Sequence, residues 1–266
     1  MSGAGGYLEP DRLVSRLRAA GCVFAEDEAR ILRAAARDPD ELAVLTARRV
    51  AGVPLEQVVG WVEFAGMSLV VRPGVFVPRR RTQFLVAVAA ESVGPGAIVV
   101  DLCCGTGALG LALVASRSDL HELHAVDIDP AAVECARINL GGRGTAYRGD
   151  LFDPIPVELR ERVGIVLANV PYVPTDEIGM LPAEAREHEP RVSLDGGADG
   201  LDLVRRVAAA APAWLVPGGS VLFEVAVPQI EPALAVLRQA GLAGRVECAE
   251  ELGATVVAGS RAVVPQ

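Results

Sequence analysis

Lysine is absent from this chain: all 25 basic residues are arginine. With alanine and valine abundant, this reads as a bias toward GC-rich codons and not as a functional device. Cysteine is sparse, five residues at positions 22, 103, 104, 135 and 248, with no C-x-x-C pair. That spacing offers no paired-cysteine motif, and the neighbours Cys103 and Cys104 are badly placed to bond each other. Reduced thiols in a cytosolic protein are expected. His121 and His124 lie three positions apart where the helical zinc signature needs four, His188 stands alone, and no metal is expected. Long apolar runs are also missing. The longest charge-free stretch, Val207 to Phe223, is broken by Pro212, Pro217, Gly218 and Gly219. No segment reads as a bilayer span, the N-terminus lacks the basic start and apolar core of a signal peptide, and a cytoplasmic location without membrane contact is expected. No internal repeat or low-complexity segment stands out.

Positive charge is in deficit. The net charge is −9, with nine arginines against ten acids up to Val75 and sixteen against twenty-four in the remainder. A surface of that sign repels phosphate backbones, which argues against direct nucleic-acid binding. Arg79, Arg80 and Arg81 form the single basic cluster, read either as a solvated turn at a helix start or as a grip on an acidic partner loop.

What is present is apolar and ordered. A chain of 266 residues, 51% of them hydrophobic, can bury the core of one catalytic domain and a small appendage. Met1 to Gly6 and the residues after Arg261 are expected to be mobile. Breaks at Gly21, Asp38-Pro39 and Gly52 predict three or four short helices over residues 1–60, and 61–77 reads as a hairpin linker. From residue 78 to 266, seven strands alternate with helical segments: 97–101, 122–126, 145–148, 164–168, 220–225, 245–248 and 255–258. Such alternation predicts an α/β fold with a mostly parallel seven-stranded sheet covered on both faces.

Two motifs carry chemistry. Ile98-Val99-Val100 reads as a buried strand that runs through Asp101 into Cys103-Cys104-Gly105-Thr106-Gly107 and then an apolar helix. Glycines let the backbone approach a ligand, and the N–H groups of the helix start face it. The spacing Gly105-x-Gly107-x-x-Gly110, with Asp127 downstream, also fits a dinucleotide fingerprint, so the glycines alone do not choose between cofactors. Downstream, the strand ending at Ala168 delivers Asn169-Val170-Pro171-Tyr172. The Asn169 side-chain oxygen and the Val170 carbonyl can each accept an N–H from a planar NH2 group, and the Tyr172 ring can cover the nitrogen. Pro171 fixes its own φ and pushes Val170 toward extended conformations, which aims that carbonyl. An ordinary strand-to-loop turn is the plain alternative.

Asp101 placed before the glycine turn, followed by Asn-x-Pro-Tyr, resembles class I methyltransferases that modify glutamine amides or exocyclic base amines. From Pro73 onward the chain resembles the protein glutamine N5-methyltransferases that act on peptide-chain release factors. The likeness extends to Pro54-Leu55-Glu56-Gln57-Val58-Val59-Gly60, Phe76-Val77-Pro78-Arg79, Glu189-Pro190, Asp199-Gly200-Leu201, and Pro217-Gly218-Gly219 leading to Glu224 and Gln229. It implies a Rossmann-like class I methyltransferase domain, S-adenosylmethionine as cofactor, and a release factor-like protein presenting a glutamine-containing loop as partner. By the same resemblance Asn169, Val170, Pro171 and Tyr172 are catalytic, and Asn169 also touches the cofactor. Asp101 sits near the methionine end of that cofactor, Cys103, Cys104, Gly105, Thr106 and Gly107 form the turn beneath it, and Asp127 takes the ribose hydroxyls. Asp150 meets the adenine with Leu151 on its face, whereas Asp129 reads as the cap of the helix beginning at Pro130.

The sequence departs from the family pattern at several points. Val170 stands for a proline, Arg80, Arg81 and Gln83 for a proline, an acid and a glutamate, Ala226 for a glycine, and Cys103-Cys104 for a Gly-Thr pair. These changes bear on the particular substrate more than on methyl transfer. Other readings are an adenine or small-molecule N-methyltransferase, a nicotinamide oxidoreductase, and a paralogue that binds the cofactor without turnover.

Overall fold

A computed structural model describes residues 10–263. The Gly-rich start, Met1 to Gly6, and the last three positions, 264–266, lie outside them. The first described elements are helices α1 (Pro10–Ala19), α2 (Ala25–Ala35), α3 (Pro39–Val50) and α4 (Leu55–Val59). Asp38 caps α3, its side chain accepting the Glu41 N–H at 2.8 Å with Pro39 in the first turn. Gly60, at φ 85°, stops α4 with a left-handed residue. Leu13, Leu17, Leu32, Leu42 and Val58 bury one another, so this bundle has its own apolar centre.

Strands β1 (Trp61–Phe64) and β2 (Met67–Val70) form an antiparallel hairpin. Its two-residue loop, Ala65-Gly66, has positive φ at both positions, as the twist of a tight hairpin requires. Then follow α5 (Gln83–Ser92), β3 (Ile98–Leu102), α6 (Ala108–Ser116), β4 (Glu122–Asp127), α7 (Pro130–Leu140), β5 (Thr145–Arg148), β6 (Val163–Ala168), α8 (Ala183–His188), α9 (Asp202–Ala210), β7 (Leu215–Glu224), α10 (Ile230–Gln239), β8 (Leu242–Ala249) and β9 (Ala254–Arg261). The sheet runs β5-β4-β3-β6-β7-β9-β8, parallel except for β9, which lies antiparallel between β7 and β8. The mostly parallel seven-stranded sheet predicted from the alternation is thus the one observed. Its antiparallel wedge separates it from the 3-2-1-4-5-6 order of nicotinamide-binding domains.

Alternate residues of the central strands feed two cores. Val99, Ile165 and Leu167 pack with α5, α6 and α7, while Val100, Val166 and Ala168 pack with α9 and α10. Strands β7, β8 and β9 are longer than expected. β7 begins at Leu215, because Pro217-Gly218-Gly219 forms an irregularity between the pairs Val163↔Leu215 and Ile165↔Ser220 instead of ending the strand. His124 lies buried within β4, its ring nitrogens 3.2 Å from the Tyr147 hydroxyl and 3.0 Å from Glu122 Oε2, a structural role. Among the described residues no helix is long and apolar enough to cross a membrane.

Candidate active site

The carboxyl ends of β3, β4 and β6 open onto a cavity of about 630 Å³, within the size range of small-molecule sites. Of the residues singled out from sequence, Asp101, Cys103, Cys104, Gly105, Thr106, Asp127, Asp150, Leu151, Asn169, Val170, Pro171 and Tyr172 all line it. Gly107 does not. At φ 74° it precedes α6 and turns toward α7, where an added Cβ would meet that of Ala136 at 3.3 Å.

At one end of the cavity the polar groups are set by backbone. Asp101, 1% exposed, accepts the Gly110 N–H at 2.9 Å. Burial pushes its carboxyl up to about 7, the Gly110 hydrogen bond working in the opposite direction. A Cβ on Gly110 would come within 2.6 Å of Leu123, so only glycine allows α6 to seat this close to the sheet. Asp127 holds the turn from β4, accepting Gly105 N–H at 2.8 Å and Asp129 N–H at 2.9 Å through its two oxygens. Burial raises its carboxyl above the usual range. Asp129 caps α7 through Ala131 N–H at 2.8 Å, as its position before Pro130 predicts. Asn139 ties this turn to the hairpin, donating to the carbonyls of Thr106 and Val70 at 2.9 Å each.

The turn contains one residue in an unusual conformation. Cys103 adopts φ 53°, the left-handed region that favours glycine. Burial raises the thiols of both Cys103 and Cys104, so neither is a thiolate nucleophile at neutral pH. Packing is their role. Asp150, beyond β5, is paired with Arg206 of α9 at 2.6 Å, and Leu151 follows at φ 49°. No local pattern in the sequence marks Arg206 as that partner.

The other end is formed by the loop after β6. The Asn169 Oδ1 atom is buried and has no hydrogen-bond partner, and the Thr106 Oγ1 atom is in the same state. Both residues line the cavity. The Val170 side chain is buried in the core on the α9/α10 face, and no backbone N–H among the described residues donates to its carbonyl. The carbonyl, not the side chain, is therefore the free polar group of this residue. Tyr172 is held through its main chain by Gln229, whose Nε2 donates to the Tyr172 carbonyl at 2.8 Å and to the Asp199 carbonyl at 3.0 Å. Gly200 presses against the same carbonyl, where any Cβ would overlap it. Burial raises the Tyr172 phenol.

The arginine cluster is spent largely inside the molecule. Arg79 Nη2 donates to both oxygens of the buried Glu189 at 2.6 Å and stacks over Phe76 at 4.9 Å. Arg81 pairs with Glu224 at 3.0 Å. Arg80 is the one of the three without an ion-pair partner among the described residues, so the expectation of a three-arginine grip on a partner, or of a simply solvated turn, gives way to two internal ion pairs. Two buried carboxylates demand cations, and these arginines supply them.

A wall of the cavity is contributed by Leu181, Pro182, Glu184, Ala185 and Glu189, around α8. The bundle touches this wall: Arg49 of α3 bonds Glu28 at 2.6 and 3.1 Å and Glu184 at 3.1 Å. Gln57 of α4 donates to the carbonyls of Val75 at 3.0 Å and His188 at 3.4 Å.

Comparison with known proteins places this fold among methyltransferases. The methyltransferase small domain family matches residues 66–180. The release factor glutamine methyltransferase of Geobacter sulfurreducens is 35% identical over 230 residues, 84% of this chain and 80% of its own. That of Cereibacter sphaeroides is 36% identical over 253 residues, 86% of this chain and 88% of its own. Among solved structures, a 16S rRNA methyltransferase from T. thermophilus in complex with AdoMet and guanosine superposes with a TM-score of 0.52 at 22% identity. The match covers 76% of this chain and 49% of that one and shares the fold.

Proposed function

The chain belongs to the release factor glutamine methyltransferase family, and on that premise we propose that it transfers a methyl group to the side-chain amide nitrogen of a glutamine in a peptide-chain release factor. The observation that carries this reading is the Asn169 side-chain oxygen, buried without a partner in the wall of the cavity. A buried acceptor left unpaired costs about 1 to 3 kcal/mol, a cost that an incoming N–H removes.

The cofactor is S-adenosylmethionine, which supplies an electrophilic methyl on a sulfonium when bound. The residues present fit it. Asp101, Asp127 and Asp150 line the cavity as carboxylate acceptors suited to an ammonium, to ribose hydroxyls and to adenine. The unpaired Thr106 hydroxyl and the glycine turn complete a cradle that the backbone can approach closely.

An amide nitrogen is a poor nucleophile, because its lone pair is delocalised into the carbonyl. Asn169 Oδ1 and the Val170 carbonyl take its two N–H groups, fixing the plane of the amide and directing the lone pair toward the methyl. Tyr172 covers the nitrogen and places electron density near the positive charge that grows there. Positioning of this kind contributes roughly 7 to 11 kcal/mol, more than the ~3 to 4 kcal/mol of one acceptor, so no strong base is required. With the cofactor bound, the carbon–sulfur bond would break as the carbon–nitrogen bond forms, its electron pair staying on the departing thioether, and the amide proton would then leave to water.

We assign the division of labour along the chain as residues 1–60 for substrate docking, 61–77 as linker and 78–266 for methyl transfer. The bundle's contacts with the α8 wall support the first assignment, because they set it beside the acceptor opening. The acidic balance supports a protein substrate over direct nucleic-acid binding, and a cytoplasmic site of action follows from a substrate of translation. The test is incubation of the full chain with methyl-labelled S-adenosylmethionine and a purified release factor, followed by peptide mass spectrometry. The expected result is one added methyl on a glutamine side chain. Label on a nucleic acid, on another residue type, or nowhere would overturn the reading.

A further inference from the structure

Tyr172 is held by a closed triangle of polar groups. Arg81 donates through Nε to Glu224 Oε1 at 3.0 Å and through Nη2 to the Tyr172 hydroxyl at 2.6 Å. That hydroxyl in turn donates to the same Glu224 oxygen at 3.1 Å. Glu224, at the end of β7, is 3% exposed, and its second oxygen is buried without a partner. Arg81 is its one ion-pair partner among the described residues. The arginine therefore serves two groups at once. It balances a carboxylate that burial would otherwise leave uncompensated, and it fixes the phenol of a residue that lines the cavity. An acid at position 81 would meet Glu224 with like charge and offer Tyr172 no donor. The guanidinium fork reaches both because its N–H groups lie in one plane at fixed angles.

We propose that Arg81 is a positioning residue for methyl transfer: by anchoring the Tyr172 hydroxyl together with Glu224, it fixes the ring over the amide that Asn169 and Val170 hold. This rests on the glutamine-amide reading above and deepens it. The ring's place is set by two charge-assisted hydrogen bonds at its far end and by the Gln229 bond to its carbonyl at the near end. With the hydroxyl released, the ring turns about its side-chain bonds and the amide loses its cover. The cofactor end does not sense the change, because neither Arg81 nor Glu224 bonds to Asp101, Asp127 or the glycine turn.

The experiment is steady-state methylation of a purified release factor by the full chain, with S-adenosylmethionine affinity measured separately by calorimetry. Arg81→Met is expected to lower kcat about tenfold or more with cofactor affinity unchanged, and Tyr172→Phe to lower it by a similar factor. In the Tyr172→Phe background, adding Arg81→Met is expected to cost nothing further, because the hydroxyl through which Arg81 acts is already gone. Arg81→Met strands a buried carboxylate, so Arg81→Met/Glu224→Gln, which removes both charges, provides a second variant with the same expected loss. Unchanged kcat in either folded variant, or a loss that multiplies in full with Tyr172→Phe, overturns the proposal and leaves Arg81 a structural ion pair. Wild-type protein that methylates no glutamine amide overturns the functional reading instead, and that control is read before any variant.

Discussion

At the donor end of the cavity the polar groups are fixed by backbone amides, Gly110 N–H on Asp101 and Gly105 N–H on Asp127, within a single strand, turn, helix and strand. At the acceptor end, Tyr172 is fixed by side chains that arrive from 91, 52 and 57 positions away, those of Arg81, Glu224 and Gln229. Backbone amides are supplied by any residue, so the donor end tolerates Cys103-Cys104 in its turn as long as the glycines and acids stay. Side-chain anchors exist only as matched sets. A charge changed at one anchor of the acceptor end requires an opposite charge at another, and Arg81 facing Glu224 meets that requirement.

The sharpest way to break this contrast is Asn169→Ala, which removes the proposed acceptor of the amide and leaves the aspartates in place. Turnover is expected to fall about 10²- to 10³-fold, while calorimetry still registers S-adenosylmethionine binding. Near-normal turnover would sink the assigned role. Gly200→Ala attacks the same end through its support: at φ 76° and with the Tyr172 carbonyl in the way, the new Cβ forces the loop to move. A loss of about 1 to 3 kcal/mol in denaturant unfolding is expected, with kcat reduced and cofactor affinity little changed.

At the donor end, Asp101 is the group that a pH titration tests. Asp101, raised to about 7 by burial, is protonated in the free protein at mildly acidic pH, and the ammonium contact proposed for it favours its carboxylate. Affinity for S-adenosylmethionine is expected to rise about tenfold between about pH 6 and about pH 8, and Asp101→Asn to abolish that slope. The folding contribution has the opposite sign. With a folded value above the ordinary 3.8, the group favours the folded state in acid and that contribution is lost as pH rises through about 7. The smallest effect is expected for Cys103→Gly, which relieves the left-handed backbone at φ 53° but frees the unfolded chain. A net change of about 1 kcal/mol or less in thermal unfolding is expected, with unchanged cofactor affinity.

These two modes of support also explain what the sequence reveals. The buried strand through Asp101, the glycine turn, Asp127 at the end of the next strand and the Asp129 cap are local patterns, and each lies where its spacing predicts. The seven-stranded sheet follows from the alternation of strands and helices. Pairs that close over long separations left no local trace: Arg79 with Glu189 across 110 positions, Arg49 with Glu184 across 135 and Arg81 with Glu224 across 143. Three adjacent arginines look like a surface patch until the fold brings two buried carboxylates to them. Gly107 misleads in the other direction, since its place in the glycine pattern suggests a ligand contact while its conformation serves the packing of α6 on α7.

Arg49 grips Glu28 within the bundle and Glu184 of the cavity wall with one guanidinium, its side chain 11% exposed. The appended helices are thus riveted to the chamber they adjoin, and one jamb of its doorway stands on a foundation outside the sheet. Removing those helices would unfasten that jamb as well as take away the bundle itself.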